Sequence, residues 1–136
     1  MPEKSDDAAE PATTARRILV VDDDADFAEG LGAVLEEAGH EVRLALSAAE
    51  GLHLLGAFIP DVAIADIRMP VVDGYALLAI LRADPNLDAC TFIGVSGNAH
   101  EETKGADAFD HFFNKPLEMG ELLEAVAHRA RSRRLH

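Results

Sequence analysis

Short apolar runs alternate with stretches of helical periodicity along this chain. ILVV at 18–21 is continuously apolar and stops at three aspartates, Asp22, Asp23 and Asp24. An unbroken run of that length suits a strand buried on both faces, as in a parallel sheet. Phe27, Leu31, Val34 and Leu35 then recur at helical spacing, and Gly39 is a natural stop. EVRLAL (41–46) predicts a second strand, and SAAEGLHLLGAF (47–58) a helix opened by Ser47 and broken by Pro60. DVAIA (61–65) predicts a third strand running into Asp66, and YALLAILRAD (75–84) another helix. CTFIGV (90–95) reads as the fourth strand and FDHFF (109–113) as the fifth, with a short polar helix expected between them within about 98–108. A last helix is expected over 118–131. Five strands alternating with five helices, without internal repeat, predict an α/β fold: a five-stranded parallel sheet wound on both sides by helices.

Composition narrows the class. The 136 residues suffice for one domain, and 49% hydrophobic residues supply a core. No apolar run approaches the ~18 residues of a membrane span, and the polar, acidic N-terminus has no secretory pattern. Residues 1–15 are expected to be a disordered leader, 16–131 the folded domain and 132–136 a basic tail. Cys90, the single cysteine, stands among apolar neighbours and is assigned to the core. These features predict a cytoplasmic protein. The net charge is −13, with +4 concentrated in residues 129–136. Such a body repels nucleic acid and anionic membrane, so DNA binding by this chain alone is not expected, and the arginines suit a helix C-terminus.

A doubly wound sheet binds ligands outside the carboxyl ends of its strands. There the chain places Asp22, Asp23 and Asp24 after strand one, Ser47 after strand two, Asp66 after strand three, Ser96 after strand four and Lys115 after strand five. Ser47 and Asp24 read as helix caps. Asp22, Asp23 and Asp66 would repel one another without a cation, and Mg²⁺ prefers such oxygen ligands. A lone carboxylate can also accept a phosphoryl group as an acyl phosphate, with Ser96 donating a hydrogen bond and Lys115 supplying charge. The six histidines are scattered, without paired metal-ligand spacing, and no Gly-rich phosphate loop follows strand one. A dinucleotide-binding oxidoreductase or a flavin carrier is therefore not expected.

ILVVDDD, DVAIADIRMPVVDG, GVSGNA and FFNKPLE, in this order, resemble the four motif regions of response-regulator receiver domains of two-component signalling. The resemblance covers roughly residues 16–131. It implies a CheY-like, flavodoxin-like sheet ordered 2-1-3-4-5 and a phosphoacceptor at Asp66. It further implies Mg²⁺ held by Asp23, Asp66 and the backbone carbonyl of Arg68, with Asp22 helping through water. Ser96 would be the switch hydroxyl, Lys115 the phosphate contact and Phe112 the aromatic whose rotation reports phosphorylation. The Lys115–Pro116 bond would be cis, as is common in that family. Arg68 and Asn98 would tune the lifetime of the aspartyl phosphate. A histidine kinase or histidine phosphotransfer protein would be the donor, and a homodimer is open.

One departure is visible. Nineteen positions separate Ser96 from Lys115, so the fourth helix is expected to be shortened by nearly a turn, and Gly105 weakens it further. The chain thus reads as a signalling switch rather than an enzyme, either stand-alone or part of a longer protein. The alternative is a receiver-like interaction module that is not phosphorylated. An aspartyl-phosphate hydrolase would need an acid two residues after the nucleophile, where Arg68 stands.

Overall fold

The computed structural model describes residues 15–97 and 108–127. Five parallel strands, β1 (Arg17–Val21), β2 (Glu41–Ala45), β3 (Val62–Asp66), β4 (Thr91–Ser96) and β5 (His111–Asn114), form one sheet in the order β2-β1-β3-β4-β5. Helices α1 (Ala25–Glu37), α2 (Ala48–Leu54), α3 (Gly74–Arg82) and α4 (Met119–Ala127) join or follow them. Residues 98–107 of the expected fourth helix, Asn98 among them, residues 128–131 of the expected last helix, the expected tail and the expected leader save Ala15 lie outside the described residues.

Strand alternation divides the core into two layers. Ile18 and Val20 of β1 meet Leu31 and Leu35 of α1 and Leu122 and Val126 of α4 on one face of the sheet. Leu19 and Val21 meet Ala48 of α2 and Leu77 and Leu81 of α3 on the other. Both faces are covered, which is why β3 and β4 are buried throughout and carry apolar residues at 62–65 and 92–95, with polar residues only at the strand ends. Cys90 is buried in the α2–α3 layer.

The helix starts are set by short polar side chains. Asp24 Oδ1 accepts the Phe27 N–H at 3.2 Å, Ser47 Oγ the Glu50 N–H at 3.1 Å and Asp73 Oδ1 the Ala76 N–H at 2.9 Å. Helix α1 ends at Gly39, whose φ of 101° lies in the left-handed region and lets the His40 N–H reach the Leu35 carbonyl.

Two elements differ from the periodic reading. The helix expected over 47–58 stops at Leu54, because the chain must turn to bury Phe58 beneath the Arg17 and Arg43 guanidinium groups, 4.6 and 4.9 Å from its ring. The strand expected over 109–113 begins at His111. Phe109 instead lies across β4 at Gly94, where an added Cβ would sit 2.8 Å from its ring. A phenylalanine outside the strand thus fills volume that a β4 side chain would otherwise occupy. Arg82 holds this segment by donating to the Ala108 carbonyl, and it lies 4.8 Å from the Phe92 ring.

Candidate functional site

Register brings the polar ends of the strands together. Val21 pairs with Ala65, so Asp22 and Asp66 are neighbours one step beyond. Asp66 in turn pairs with Val95, which puts Ser96 just past it, and Ser96 pairs with Asn114, which puts Lys115 just past that. The Lys115 N–H donates to the Ser96 carbonyl at 2.7 Å, and Lys115–Pro116 is a cis peptide.

Among the described residues, Asp22, Asp23 and Asp66 are the one group of three potential ligand side chains whose oxygens lie within 4.8 Å of each other. They are not equivalent. Asp22 is 1% exposed and uses both oxygens: Oδ1 accepts the Asp24 N–H at 2.9 Å, and Oδ2 accepts Lys115 Nζ at 3.0 Å. Asp23 is exposed. Asp66 is 6% exposed; its Oδ1 accepts the Arg68 N–H at 3.0 Å, while Oδ2 stands 3.7 Å from Lys115 Nζ. Burial raises the Asp66 carboxyl from 3.8 to about 6, opposed by the Arg68 N–H, reinforced by the charge of Asp22 and moderated by Lys115. A hydrogen bond with the Asp22 side chain adds to the rise.

The loop after β3 makes room at the strand end. Val71, fully exposed, has φ of 71°, and the Val72 N–H bonds back to the Pro70 carbonyl at 2.8 Å, closing a γ-turn. An open cleft on this loop is lined by Ile67, Arg68, Met69 and Asp73. Gly74 opens α3 hard against the strand: a Cβ there would lie 2.6 Å from the Asp66 carbonyl oxygen. No side chain fits without moving the helix away from the phosphoacceptor candidate.

Ser96 is buried completely at the end of β4. Phe112 is half-buried with its ring centroid 6.0 Å from that of Phe109, which in turn lies 5.7 Å from Tyr75 at the start of α3. Phe113 faces the opposite layer, as strand alternation requires. Asp24 is a cap, as its position before a helix suggests. The site residues inferred from sequence therefore share one edge, save Phe112, which pairs with Gly94 two positions short of it. Phe27 and Gly74 had no assigned role. Phe27 had read as one more apolar position of α1, yet its ring centroid is 4.1 Å from Lys115 Nζ. Only the Asp-Gly pair at 73–74 hinted at the close approach after β3.

The sequence model of a family described as the response regulator receiver domain matches residues 18–127. An uncharacterized 14.6 kDa protein of Leptolyngbya boryana is 35% identical over 80% of this chain and 86% of its own length. The transcriptional regulatory protein PrrA of Mycobacterium tuberculosis is 34% identical over 83% of this chain, which spans only 49% of PrrA. The response regulator TrrA of Thermotoga maritima, solved in complex with Mg²⁺–BeF, has a TM-score of 0.71 at 29% identity, covering 82% of this chain and 96% of that one.

Proposed function

The chain belongs to the response regulator receiver family, and from that membership we propose that Asp66 accepts a phosphoryl group in a Mg²⁺-dependent reaction. The observation that carries this reading is a nearly buried carboxylate, its pKa raised to about 6, facing an ammonium 3.7 Å away at the end of an apolar strand. The donor would be the phosphohistidine of a histidine kinase or phosphotransfer protein. An Asp66 oxygen forms a bond to phosphorus as the donor's P–N bond breaks, and the imidazole leaves with a proton. The product is a mixed carboxylic–phosphoric anhydride.

The donor set fits a hard divalent ion: three carboxylates lie together, one ammonium pairs with only two of them, and a further positive charge would relieve their repulsion. Asp23, Asp66 and the Arg68 carbonyl would hold Mg²⁺, with Asp22 acting through water because its own oxygens are engaged by Asp24 and Lys115. The ion would supply charge neutralisation for the transferring group. Lys115 would contribute further positive charge, and Ser96 a hydrogen bond to the transferred group. The same residues would take part in its later loss to water. Phe112 would report the change by turning towards the site. The output is conformational, and the setting consistent with it is the cytoplasm; among the described residues no helix is long and apolar enough to cross a membrane.

Incubation with Mg²⁺ and acetyl phosphate tests the proposal. Intact-mass analysis should show one added phosphoryl group, absent in Asp66→Asn. No gain in the wild type would instead favour an interaction module that works without phosphorylation.

A further inference from the structure

Lys115 ends in a point charge on a flexible four-carbon stem, so its usefulness at Asp66 depends on how tightly the ammonium is held. Two carboxylates hold it, Asp22 Oδ2 at 3.0 Å and Asp66 Oδ2 at 3.7 Å. The Phe27 ring presents its face to Nζ from 4.1 Å. An aromatic face attracts an ammonium through its quadrupole, and more strongly where water is kept away. The Lys115 side chain is only 22% exposed.

The ring is placed by the same carboxylate that grips the lysine. Asp22 Oδ1 accepts the Asp24 N–H, and Asp24 Oδ1 accepts the Phe27 N–H to start α1. Asp22, Asp24 and Phe27 are therefore one hydrogen-bonded unit with Lys115 at its centre. The ring also packs against the α1–α4 layer.

The two kinds of contact respond differently to phosphorylation. When Asp66 becomes an acyl phosphate, the carboxylate charge facing Lys115 is replaced by phosphoryl charge centred beyond the carboxyl group. The ring contact is indifferent to that change. We infer that Phe27 is a positioning residue for phosphoryl transfer, its ring face keeping the Lys115 ammonium beside Asp66 while the charges around it are rearranged. This rests on the phosphoacceptor reading of Asp66.

The test measures the rate of phosphoryl gain from acetyl phosphate and Mg²⁺ in the full chain. Phe27→Leu keeps an apolar side chain but removes the π face, and should slow the reaction about five-fold, within the range of a partly desolvated cation–π contact. Phe27→Tyr should restore the rate to within about two-fold, since it retains the ring. In a Lys115→Met background, Phe27→Leu should have no further effect. A metal-free readout is the Lys115 ε-methylene resonance, shifted upfield by the ring in the wild type and returning to its ordinary position in Phe27→Leu. Equal slowing with and without Lys115 would make Phe27 merely structural and overturn the inference, as would an unslowed Leu variant of a phosphorylated wild type. A wild type that gains no phosphoryl group overturns the phosphoacceptor reading, and this inference with it.

Discussion

Replacing Asp66 by asparagine should stabilise the metal-free protein near neutral pH. Asp66 lies nearly buried at a strand end, and ionising it there is opposed first by burial and then by the neighbouring charge of Asp22. Its carboxyl titrates at about 6 when folded, against 3.8 for an ordinary aspartate. Between about pH 4 and pH 6 Asp66 therefore binds more protons in the folded protein than in the unfolded chain. The contribution of Asp66 to stability consequently falls as pH rises through that window and stays lower above it. A gap of about two in pKa corresponds to roughly 3 kcal/mol at pH 7.5, an upper figure because Lys115 can readjust. Asparagine keeps an oxygen for the Arg68 N–H, gains an amide that can donate to Asp22, and carries no charge. Urea unfolding in EDTA should therefore show Asp66→Asn more stable by about 1–3 kcal/mol at pH 7.5, the gain shrinking towards zero near pH 4. The difference between the two proteins cancels common contributions such as His40, whose pKa is lowered by burial and by Arg16. Saturating Mg²⁺ should narrow the gap, since an ion bound at 100 times its Kd stabilises the wild type by about 2.7 kcal/mol. Equal or lower stability of Asp66→Asn at pH 7.5, or a gain that persists unchanged at pH 4, would refute the reasoning.

Three further outcomes follow from the packing and caps. Phe109→Ala empties the space over Gly94 and should cost about 3–5 kcal/mol in urea unfolding, while Gly94→Val alone should cost about 1–3 kcal/mol by overpacking; the double variant should recover part of the loss, a non-additivity that separate sites would not show. Gly74→Ala sets a Cβ against the Asp66 carbonyl and should both destabilise the fold by about 1–3 kcal/mol and slow phosphoryl gain at Asp66, measured by melting and by intact mass. Asp24→Ala removes the α1 cap and should cost about 1 kcal/mol, whereas Asp24→Asn should be nearly neutral by the same unfolding measurement.

Much of the architecture is legible in local patterns. The continuous apolar runs at 18–21 and 61–65 correspond to strands covered on both faces, and Gly39 and Ser47 mark helix ends through backbone chemistry that needs no distant partner. Phe58 and Phe109 show where that reasoning stops. Each belongs to an apolar stretch that local spacing extends into a helix or strand, but each leaves the regular element to fill a gap in the core. The demand for that volume is created by other parts of the chain, in one case by the missing side chain of Gly94.

The site divides in the same way. The convergence of the candidates Asp22, Asp23, Asp66, Ser96 and Lys115 was readable because each stands at or just past the end of a strand, and parallel strands share one carboxyl edge. The acidic balance of the chain, likewise, is a property of composition alone. Only the tertiary structure separated Asp22, buried and gripping Lys115 across 93 positions of sequence, from the exposed Asp23 beside it. Only it raised the Asp66 carboxyl to about 6 and turned the face of Phe27 to the ammonium. Periodicity reports which side of an element is covered, because that depends on spacing within the element. Distances between side chains far apart in sequence depend on strand register and helix rotation. Ionisation depends on every neighbour those distances bring near.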